Sequence, residues 1–198
     1  YKLNTFHFHL TDDEGWRLAI DGLPELTEVG GRRGHTRTEQ NHLVPSYGSG
    51  PNPRPTMSRG SGWYTRGEYI YILRYARERH IEVVPEIDMP GHARAAILAM
   101  KARTQRLRKE GDTTAARRYR LHDPADSSEY ESVQGWDDNV VNVCQPSTYR
   151  FLAHVVDELR MMHDVADAPL STVHVGGDEV PSGAWTESPI CDEYIAET

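Results

Sequence analysis

The order of its predicted elements assigns this 198-residue chain to the α/β class with parallel strands. Segments with the two-residue period of a strand alternate with segments of helical period, as in consecutive βαβ units. Each predicted strand also ends in a turn that contains acidic residues or glycine. These observations favour an α/β domain whose polar turns meet at one edge of the sheet, and the length is sufficient for a sizeable core.

The first predicted strand covers residues 3–10, where polar and apolar side chains alternate. His9 lies on its polar face, near the carboxyl end. An acidic turn follows directly. We expect one of its two aspartates, Asp12 or Asp13, to face a pocket, and the other to cap the turn or to pair with Arg17.

A long loop precedes the second strand. Residues 30–63 are rich in Gly, Pro, Arg and Ser and have no periodicity, so they are predicted to be an irregular excursion. Thr65 and Glu68 have the spacing of a capping box and predict the start of a helix. A second strand is predicted over residues 81–87, and an Ala-rich helix follows over residues 93–109.

The last part of the chain repeats the pattern of helix and strand. Residues 111–143 are polar and are predicted to be a second excursion. Ser147 is expected to cap a third helix, and residues 172–176 are predicted to form a third strand that ends in glycines. The buried face of the third helix is predicted to consist of Phe151, Val155, Leu159 and Met162.

Strands that end in polar turns are typical of a (β/α)8 TIM barrel, in which the carboxyl ends of the strands form the catalytic face. Eight strands are needed to close such a barrel. Residues 1–198 are therefore predicted to be a partial barrel of about three βα units, and the start of the chain at a strand edge without Met agrees with a fragment. A doubly wound open sheet is the alternative architecture.

The sharpest chemical signal is the pair Asp178–Glu179, which follows His174 and two glycines. Glycines allow a tight turn and the close approach of a ligand. Neighbouring like charges are costly to ionise together, so one of the two carboxyls is expected to hold a proton near neutral pH, as a general acid must. For a bare Asp–Glu pair, a solvated acidic turn would be the better interpretation, but the preceding His174 and the two glycines reverse that preference.

A second group of candidates follows from the second strand. Glu86 and Asp88 share its inward face by alternation, and His92 comes just beyond a Pro-Gly turn. A histidine held by a carboxylate has a fixed tautomer and can orient a neighbouring acid. The alternative for His92 is a residue at the start of a helix without a chemical role.

Composition excludes some classes of function. The net charge of −8 disfavours nucleic-acid binding, which needs a basic surface. No stretch approaches the roughly 20 apolar residues of a membrane-spanning helix. Two cysteines, Cys144 and Cys191, form neither a disulfide framework nor a metal-binding spacing, and buried free thiols are the expected state.

Three segments of the chain resemble the signature blocks of the family 20 glycoside hydrolases, the β-N-acetylhexosaminidases. The blocks are residues 4–17, 85–92 and 174–179, in the family's order and at suitable spacing. The long excursions are similar to those of the bacterial chitobiase-like branch. The resemblance implies the catalytic barrel of a retaining exo-hydrolase that removes terminal β-linked GlcNAc or GalNAc from oligosaccharides such as chitobiose.

The resemblance also implies a mechanism assisted by the substrate, in which the 2-acetamido oxygen attacks the anomeric carbon. Glu179 would be the general acid and base, and Asp178 would stabilise the oxazolinium intermediate. His92 and Asp12 would support Glu179, and His9 would shape the sugar subsite. The other residues that we predict to bind substrate are Asp13, Glu86, Asp88 and His174.

Further expectations concern partners and setting. We predict no cofactor, no metal ion, no nucleic acid and no membrane span; the partners are an oligosaccharide and the remainder of the barrel with its flanking domains. The family's usual setting implies a periplasmic or extracellular location. The family's sugar-binding Arg and its later aromatic residues lie outside residues 1–198, so the isolated segment is expected to be inactive.

Two other functions stay open at this point. A metal-dependent hydrolase would use His7 and His9 as a metal pair, with Asp12, His174 and Asp178 as further ligands. A sugar-binding protein without catalysis, built on a decayed hydrolase, is the second alternative.

Overall fold

The computed structural model describes residues 2–197 and contains an α/β arrangement of short strands and longer helices. In chain order the elements are β1 (Thr5–His9), β2 (Thr11–Asp12), β3 (Gly15–Trp16), α1 (Glu25–Glu28), α2 (Arg66–Arg77), β4 (Glu82–Glu86), α3 (Arg94–Lys109), α4 (Thr113–Arg118), α5 (Pro146–Ala166) and α6 (Pro189–Glu197).

β1 and β4 pair in parallel, in a register that places His9 opposite Glu86. Helix α2 lies between them in the chain, so β1, α2 and β4 form the predicted βαβ unit. On the other side of β4 runs the predicted third strand, residues 172–176. It is reduced to a single parallel bridge between Glu86 and His174, because both Gly176 and Gly177 have positive φ angles and turn the chain away.

The core lies between the strands and the helices. The face predicted for α5 is fully buried, and Phe151 packs edge-on against Trp16 with ring centroids 5.8 Å apart. Burial of one such aromatic side chain contributes about 1.5–3 kcal/mol. Helix α2 begins at the predicted capping box, in which the Thr65 side chain accepts from the Glu68 N–H and the Glu68 carboxylate accepts from the Thr65 N–H.

One local prediction was wrong. Ser147 does not cap α5: Gln145 is the N-cap residue and Pro146 takes the first helical position, where its missing N–H is harmless. The Ser147 hydroxyl donates instead to the carbonyl of Arg120 at 2.6 Å.

For the acidic turn, the structure selects one of the two predicted alternatives. Asp12 caps the turn, since its Oδ1 accepts from the Asp13 N–H at 2.6 Å. Arg17 pairs with neither aspartate, because its guanidinium donates to backbone carbonyls, among them that of Gly62 at 2.9 Å.

The expected free thiols are also a correction. Cys144 and Cys191 form a disulfide, with Cα atoms 5.1 Å apart, across 47 positions of sequence. The bond ties the segment before α5 to α6. Two cysteines without a spacing motif carry no pairing signal, so only the fold brings them together.

The two excursions differ in structure. Residues 30–63 contain no helix or extended strand, but buried Arg33 and the residues around it hold the loop against the domain. The second excursion, residues 111–143, contains helix α4 and then crosses the carboxyl ends of the strands. Within residues 2–197, no helix is long and apolar enough to cross a membrane.

Candidate functional site

The predicted site residues converge at the carboxyl ends of β1, β4 and the segment of residues 172–175. Parallel strands bring these ends to one edge, so residues far apart in sequence become neighbours. Two groups of side chains form there, each built from histidines and carboxylates. We call them the Glu86 cluster and the His92 cluster.

The Glu86 cluster consists of Glu86 and three histidines, His7, His9 and His174. Glu86 is only 7% exposed, and its carboxylate lies 2.9 Å from His7 Nε2, 2.8 Å from His9 Nδ1 and 2.9 Å from His174 Nδ1. Burial alone would raise the pKa of Glu86, but the hydrogen bonds from His9 and His174 outweigh it and lower the pKa. Glu86 is therefore held as a carboxylate.

The His92 cluster consists of His92 and four carboxylates. His92 Nδ1 lies 3.5 Å from Asp12 and 3.6 Å from Asp13, while Nε2 lies 3.3 Å from Glu179 and 3.8 Å from Asp178. The ring is buried, and neither nitrogen makes a directed hydrogen bond in the part of the chain that the structure describes. Burial would lower the pKa of His92, but the charges of Asp12 and Asp13 outweigh it and raise the pKa.

His9 and Asp12 join the two clusters. His9 Nδ1 contacts Glu86, and its Nε2 lies 3.0 Å from Asp12 Oδ2. Both ring nitrogens thus face carboxylates, an arrangement that the doubly protonated imidazolium satisfies best. In agreement, the hydrogen bonds to Glu86 and Asp12 overcome the effect of burial and raise the pKa of His9. A continuous chain of groups therefore runs from Glu86 to Glu179.

The Asp178–Glu179 pair lies on a turn that requires glycine. Gly176 and Gly177 have φ angles of 65° and 94°, and a Cβ at Gly176 would collide with the carboxylate of Asp88. Glu179 itself has a φ of 49°, in a region that side chains rarely adopt. Both carboxylates remain open to solvent, with 65% and 41% of their side chains exposed.

Asp88 is a buried carboxyl that holds its proton to a higher pH than an ordinary aspartate does. Its side chain is buried, and its Oδ1 has no hydrogen-bond partner among residues 2–197. Burial, and then the negative charge of Asp178, raise the pKa of Asp88 to about 6. The proton that the sequence led us to expect on one member of the Asp178–Glu179 pair stays a prediction; the carboxyl whose pKa the fold raises beside that pair is Asp88.

Asp13 differs from its predicted role in substrate binding. It has no exposed surface, and its oxygens accept hydrogen bonds from the backbone N–H of Arg94 at 3.1 Å and from the Asn139 amide at 2.9 Å. A carboxylate enclosed in this way does not contact a sugar in this conformation. Its position supports the start of α3 and the ring of His92.

Sequence reasoning missed three residues of the site. Gln134 donates to Glu179 Oε2 at 2.9 Å, Asn139 donates to Asp13, and Arg94 binds carboxylates from both excursions. Gln134 and Asn139 belong to the second excursion, which has no periodicity. Arg94 had the appearance of an ordinary helical residue, so no signal in the sequence distinguished it.

Some of these side chains also have the proximity that a metal ion needs. His7, Glu86 and His174 offer ligand atoms within 4.8 Å of one another, and so do Asp88, His92 and Asp178. In the first group, His174 Nδ1 is hydrogen-bonded to Glu86, and His7 Nε2 lies 2.9 Å from the same carboxylate. This arrangement explains the proximity without an ion.

Comparison with known proteins gives a consistent result. The family model described as "Glycosyl hydrolase family 20, catalytic domain" matches residues 1–198. Beta-hexosaminidase B of Pseudoalteromonas piscicida is 49% identical over 196 residues, which are 99% of this chain and 25% of that protein. N,N'-diacetylchitobiase of Vibrio harveyi is 51% identical over 180 residues, 90% of this chain and 20% of that protein. The chain thus spans about a quarter or less of the length of these relatives.

The fold of this chain is also similar to parts of solved structures. A GH20 exo-β-N-acetylglucosaminidase from Vibrio harveyi, in complex with N-acetylglucosamine, is 38% identical with a TM-score of 0.79, covering 100% of this chain and 26% of that chain. The N-acetyl-β-hexosaminidase of Streptomyces plicatus, in complex with Thio-NAglucal, is 31% identical with a TM-score of 0.56, covering 98% of this chain and 32% of that chain. The arrangement of this chain therefore recurs as one part of larger proteins.

Proposed function

This chain belongs to glycosyl hydrolase family 20, a family of TIM-barrel catalytic domains, and we propose that it carries the reaction centre of a β-N-acetylhexosaminidase. The proposed reaction is the hydrolysis of terminal non-reducing β-linked N-acetylhexosamine from oligosaccharides such as chitobiose. The names of the relatives support it, because they are called beta-hexosaminidases and N,N'-diacetylchitobiase. The resemblance of the three sequence blocks to this family is confirmed.

We propose that residues 1–198 form about three neighbouring βα units of a (β/α)8 catalytic barrel, completed by the remainder of the same domain. The open edges of the short sheet support this: Phe6 of β1 is 41% exposed and Val175 is 45% exposed. Further strands would cover such edges. The share of the relatives that this chain covers agrees with a part of one barrel.

The observation that carries the proposed chemistry is the placement of Glu179 and Asp178 around the buried ring of His92. In the first step, Glu179 would give its proton to the glycosidic oxygen. The substrate's acetamido oxygen would attack the anomeric carbon as the leaving alcohol departs. Asp178 would accept a hydrogen bond from the acetamido N–H and stabilise the positive charge that develops there.

In the second step, the Glu179 carboxylate would take a proton from water. That water would attack the anomeric carbon and open the oxazolinium ring, so the sugar is released with its original configuration. Glu179 thereby regains the proton that it gave to the leaving group. The two steps balance without a metal ion or a cofactor.

The neighbouring residues have proposed supporting roles. His92 and Asp12 would maintain the charge balance around Glu179, since the ring of His92 lies between them. His9, Glu86 and His174 would shape the floor of the sugar subsite, where the exposed ring edges of the two histidines are available to hydroxyl groups. Asp88, with a pKa of about 6, would offer a protonated carboxyl beside Asp178 in mildly acidic conditions.

We also propose a periplasmic or extracellular location. The Cys144–Cys191 disulfide supports it, because disulfides persist mainly in oxidising compartments.

The test uses the full-length protein that contains this chain and two matched aryl β-glycosides, one with a 2-acetamido group and one with a 2-hydroxyl group. We expect strong preference for the acetamido substrate and, in Glu179→Gln, a loss of about 10²–10⁴-fold in kcat. Glu187→Gln, an exposed neighbour on the same segment, serves as the matched control. The 198-residue chain alone is expected to be inactive, because it lacks most of the barrel.

Three outcomes would contradict the proposal. Equal rates on the two substrates would mean that a protein nucleophile replaces the acetamido group, and the role of Asp178 would be wrong. Loss of activity on chelation, with recovery on adding zinc or manganese, would favour the metal-dependent hydrolase. Binding of the sugar without turnover by the full-length protein would favour the sugar-binding protein.

A further inference from the structure

Arg94, the first residue of α3, lies at a junction of the two excursions. It is 6% exposed. Its Nη1 and Nη2 donate to the two carboxylate oxygens of Glu39 at 3.0 and 2.6 Å, and its Nε donates to Asp138 at 2.6 Å. Glu39 belongs to the excursion of residues 30–63 and Asp138 to that of residues 111–143. A buried arginine with two carboxylate partners therefore ties both loops to one helix end.

The second excursion is held by Arg94 through a ring contact as well. The guanidinium carbon lies 4.0 Å from the ring centroid of Trp136, within the range of a cation–π interaction. Trp136 closes a tight turn, because its N–H donates to the Ser132 hydroxyl and its carbonyl accepts from the Ser132 N–H. Gln134 lies at the tip of this turn, and its amide donates to Glu179 Oε2 at 2.9 Å.

The backbone around Arg94 completes the connection. The Arg94 N–H binds Asp13 Oδ1, and Asn139, next to Asp138, binds Asp13 Oδ2. The Ala93 N–H donates to the carbonyl of Asn139 at 3.0 Å. The segment from Trp136 to Asn139 is thus fastened to the start of α3 on both sides, only two residues after His92.

We propose that Arg94 is a positioning residue for Glu179. It anchors the turn of residues 132–136, so that the amide of Gln134 meets the carboxylate that gives and takes the proton. This inference rests on the proposed role of Glu179 as acid and base. The planar guanidinium binds Glu39 in two places, binds Asp138 through a third nitrogen and stacks on Trp136; a lysine ammonium lacks this combination.

The experiment measures kcat/KM of the full-length protein on two aryl 2-acetamido-β-glycosides, one with a good leaving group such as dinitrophenol and one with a poor leaving group. A good leaving group needs little protonation, so misplacement of the acid affects it least. We expect Arg94→Lys to reduce kcat/KM about 10- to 100-fold for the poor leaving group and several-fold less for the good one. Gln134→Ala should show the same pattern, and the double variant should lose no more activity than the more impaired of the two single variants.

Two further variants separate loss of the anchor from a general effect of losing an ion pair or of misfolding. Arg106→Lys, on the same helix, removes a comparable pairing with buried Glu25 far from the site and should leave both substrates unaffected. Asp138→Asn weakens only the arm to the second excursion, so it remains usable if Arg94→Lys does not fold, and it should give the same dependence on the leaving group.

Hydrogen exchange of residues 132–141 tests the anchor without any assay of activity. Arg94→Lys and Asp138→Asn should accelerate exchange there, whereas Arg106→Lys should not. Unchanged exchange, equal losses on both substrates, or additive losses in the double variant would each overturn the inference. If the wild-type protein hydrolysed neither substrate, the proposed function would fail, and exchange would still decide whether Arg94 anchors the turn.

Discussion

The Glu86 cluster and the His92 cluster use the same kinds of side chain in opposite arrangements. In the Glu86 cluster, one buried carboxylate is surrounded by three histidines at 2.8–2.9 Å. In the His92 cluster, one buried histidine is surrounded by four carboxylates at 3.3–3.8 Å. His9 connects the two clusters, because its ring nitrogens contact Glu86 of the first cluster and Asp12 of the second.

The hydrogen bonds of the buried group are therefore complete in the Glu86 cluster and incomplete in the His92 cluster. Glu86 has partners for both oxygens, and a satisfied buried network stabilises the fold and limits movement. The ring nitrogens of His92 lack directed hydrogen bonds among the described residues. They can therefore accept or donate a proton, or form a hydrogen bond with a neighbouring group that moves. We therefore expect changes to the His92 cluster to act mainly on turnover, and changes to the Glu86 cluster to act mainly on stability.

Of the three changes that test this comparison, His92→Gln has the largest expected effect. Loss of the ring between Asp12 and Glu179 should lower kcat of the full-length protein about 100-fold, within the range for groups that support proton transfer. The free energy of unfolding should change less than it does in Glu86→Ala, because no directed hydrogen bond is lost and only the charge interactions with Asp12 and Asp13, at 3.5 and 3.6 Å, are removed. Steady-state kinetics and urea denaturation measure the two quantities. The control is His35→Gln, which changes an exposed histidine of the first excursion. An unchanged kcat in His92→Gln would contradict the expectation that the His92 cluster acts mainly on turnover.

A smaller effect is expected from Glu86→Ala. His9 and His174 lose their hydrogen-bond partner, and His7 loses a carboxylate contact at 2.9 Å; together these losses should lower the free energy of unfolding by about 1–3 kcal/mol. Glu82→Ala, at the exposed end of the same strand, should change it much less. Urea denaturation of both variants provides the comparison, and a greater loss of stability in His92→Gln than in Glu86→Ala would reverse our assignment of the two clusters.

The smallest effect concerns pH and Asp88. Its pKa rises from an ordinary value of 3.8 to about 6 in the folded chain, so the folded state binds this proton more tightly than the unfolded state does. Wild-type stability is therefore lost as the pH rises from about 4 to above 6. Asp88→Asn removes this loss.

The measurement is the free energy of unfolding of Asp88→Asn relative to the wild type at pH 4 and at pH 7.5. The variant's relative stability should be greater at pH 7.5. Asp157→Asn, an exposed aspartate of α5, is the control for a change of charge. Equal differences at the two pH values would mean that Asp88 ionises in the fold as it does in the unfolded chain.

Local sequence patterns predicted much of the fold correctly. The alternation in β1, the capping box of Thr65 and Glu68, and the buried face of α5 depend on neighbours within a few residues, so their physical causes are visible in sequence. The third strand was predicted too long, because pairing ends where Gly176 turns away. The cap of α5 was misplaced, because Pro146 begins the helix before Ser147.

The sequence by itself determined the order of the main elements β1, α2, β4, α3 and α5. It also determined the three blocks that identify the family and the candidates Asp178, Glu179 and His92. Only the tertiary structure decided which residues meet them. Gln134, Asn139 and the disulfide partners Cys144 and Cys191 lie in or beside segments without periodicity, and their contacts span 45, 126 and 47 positions. Contacts at such separation depend on how the helices place the loops, and side-chain patterns report only a residue's immediate neighbours along the chain.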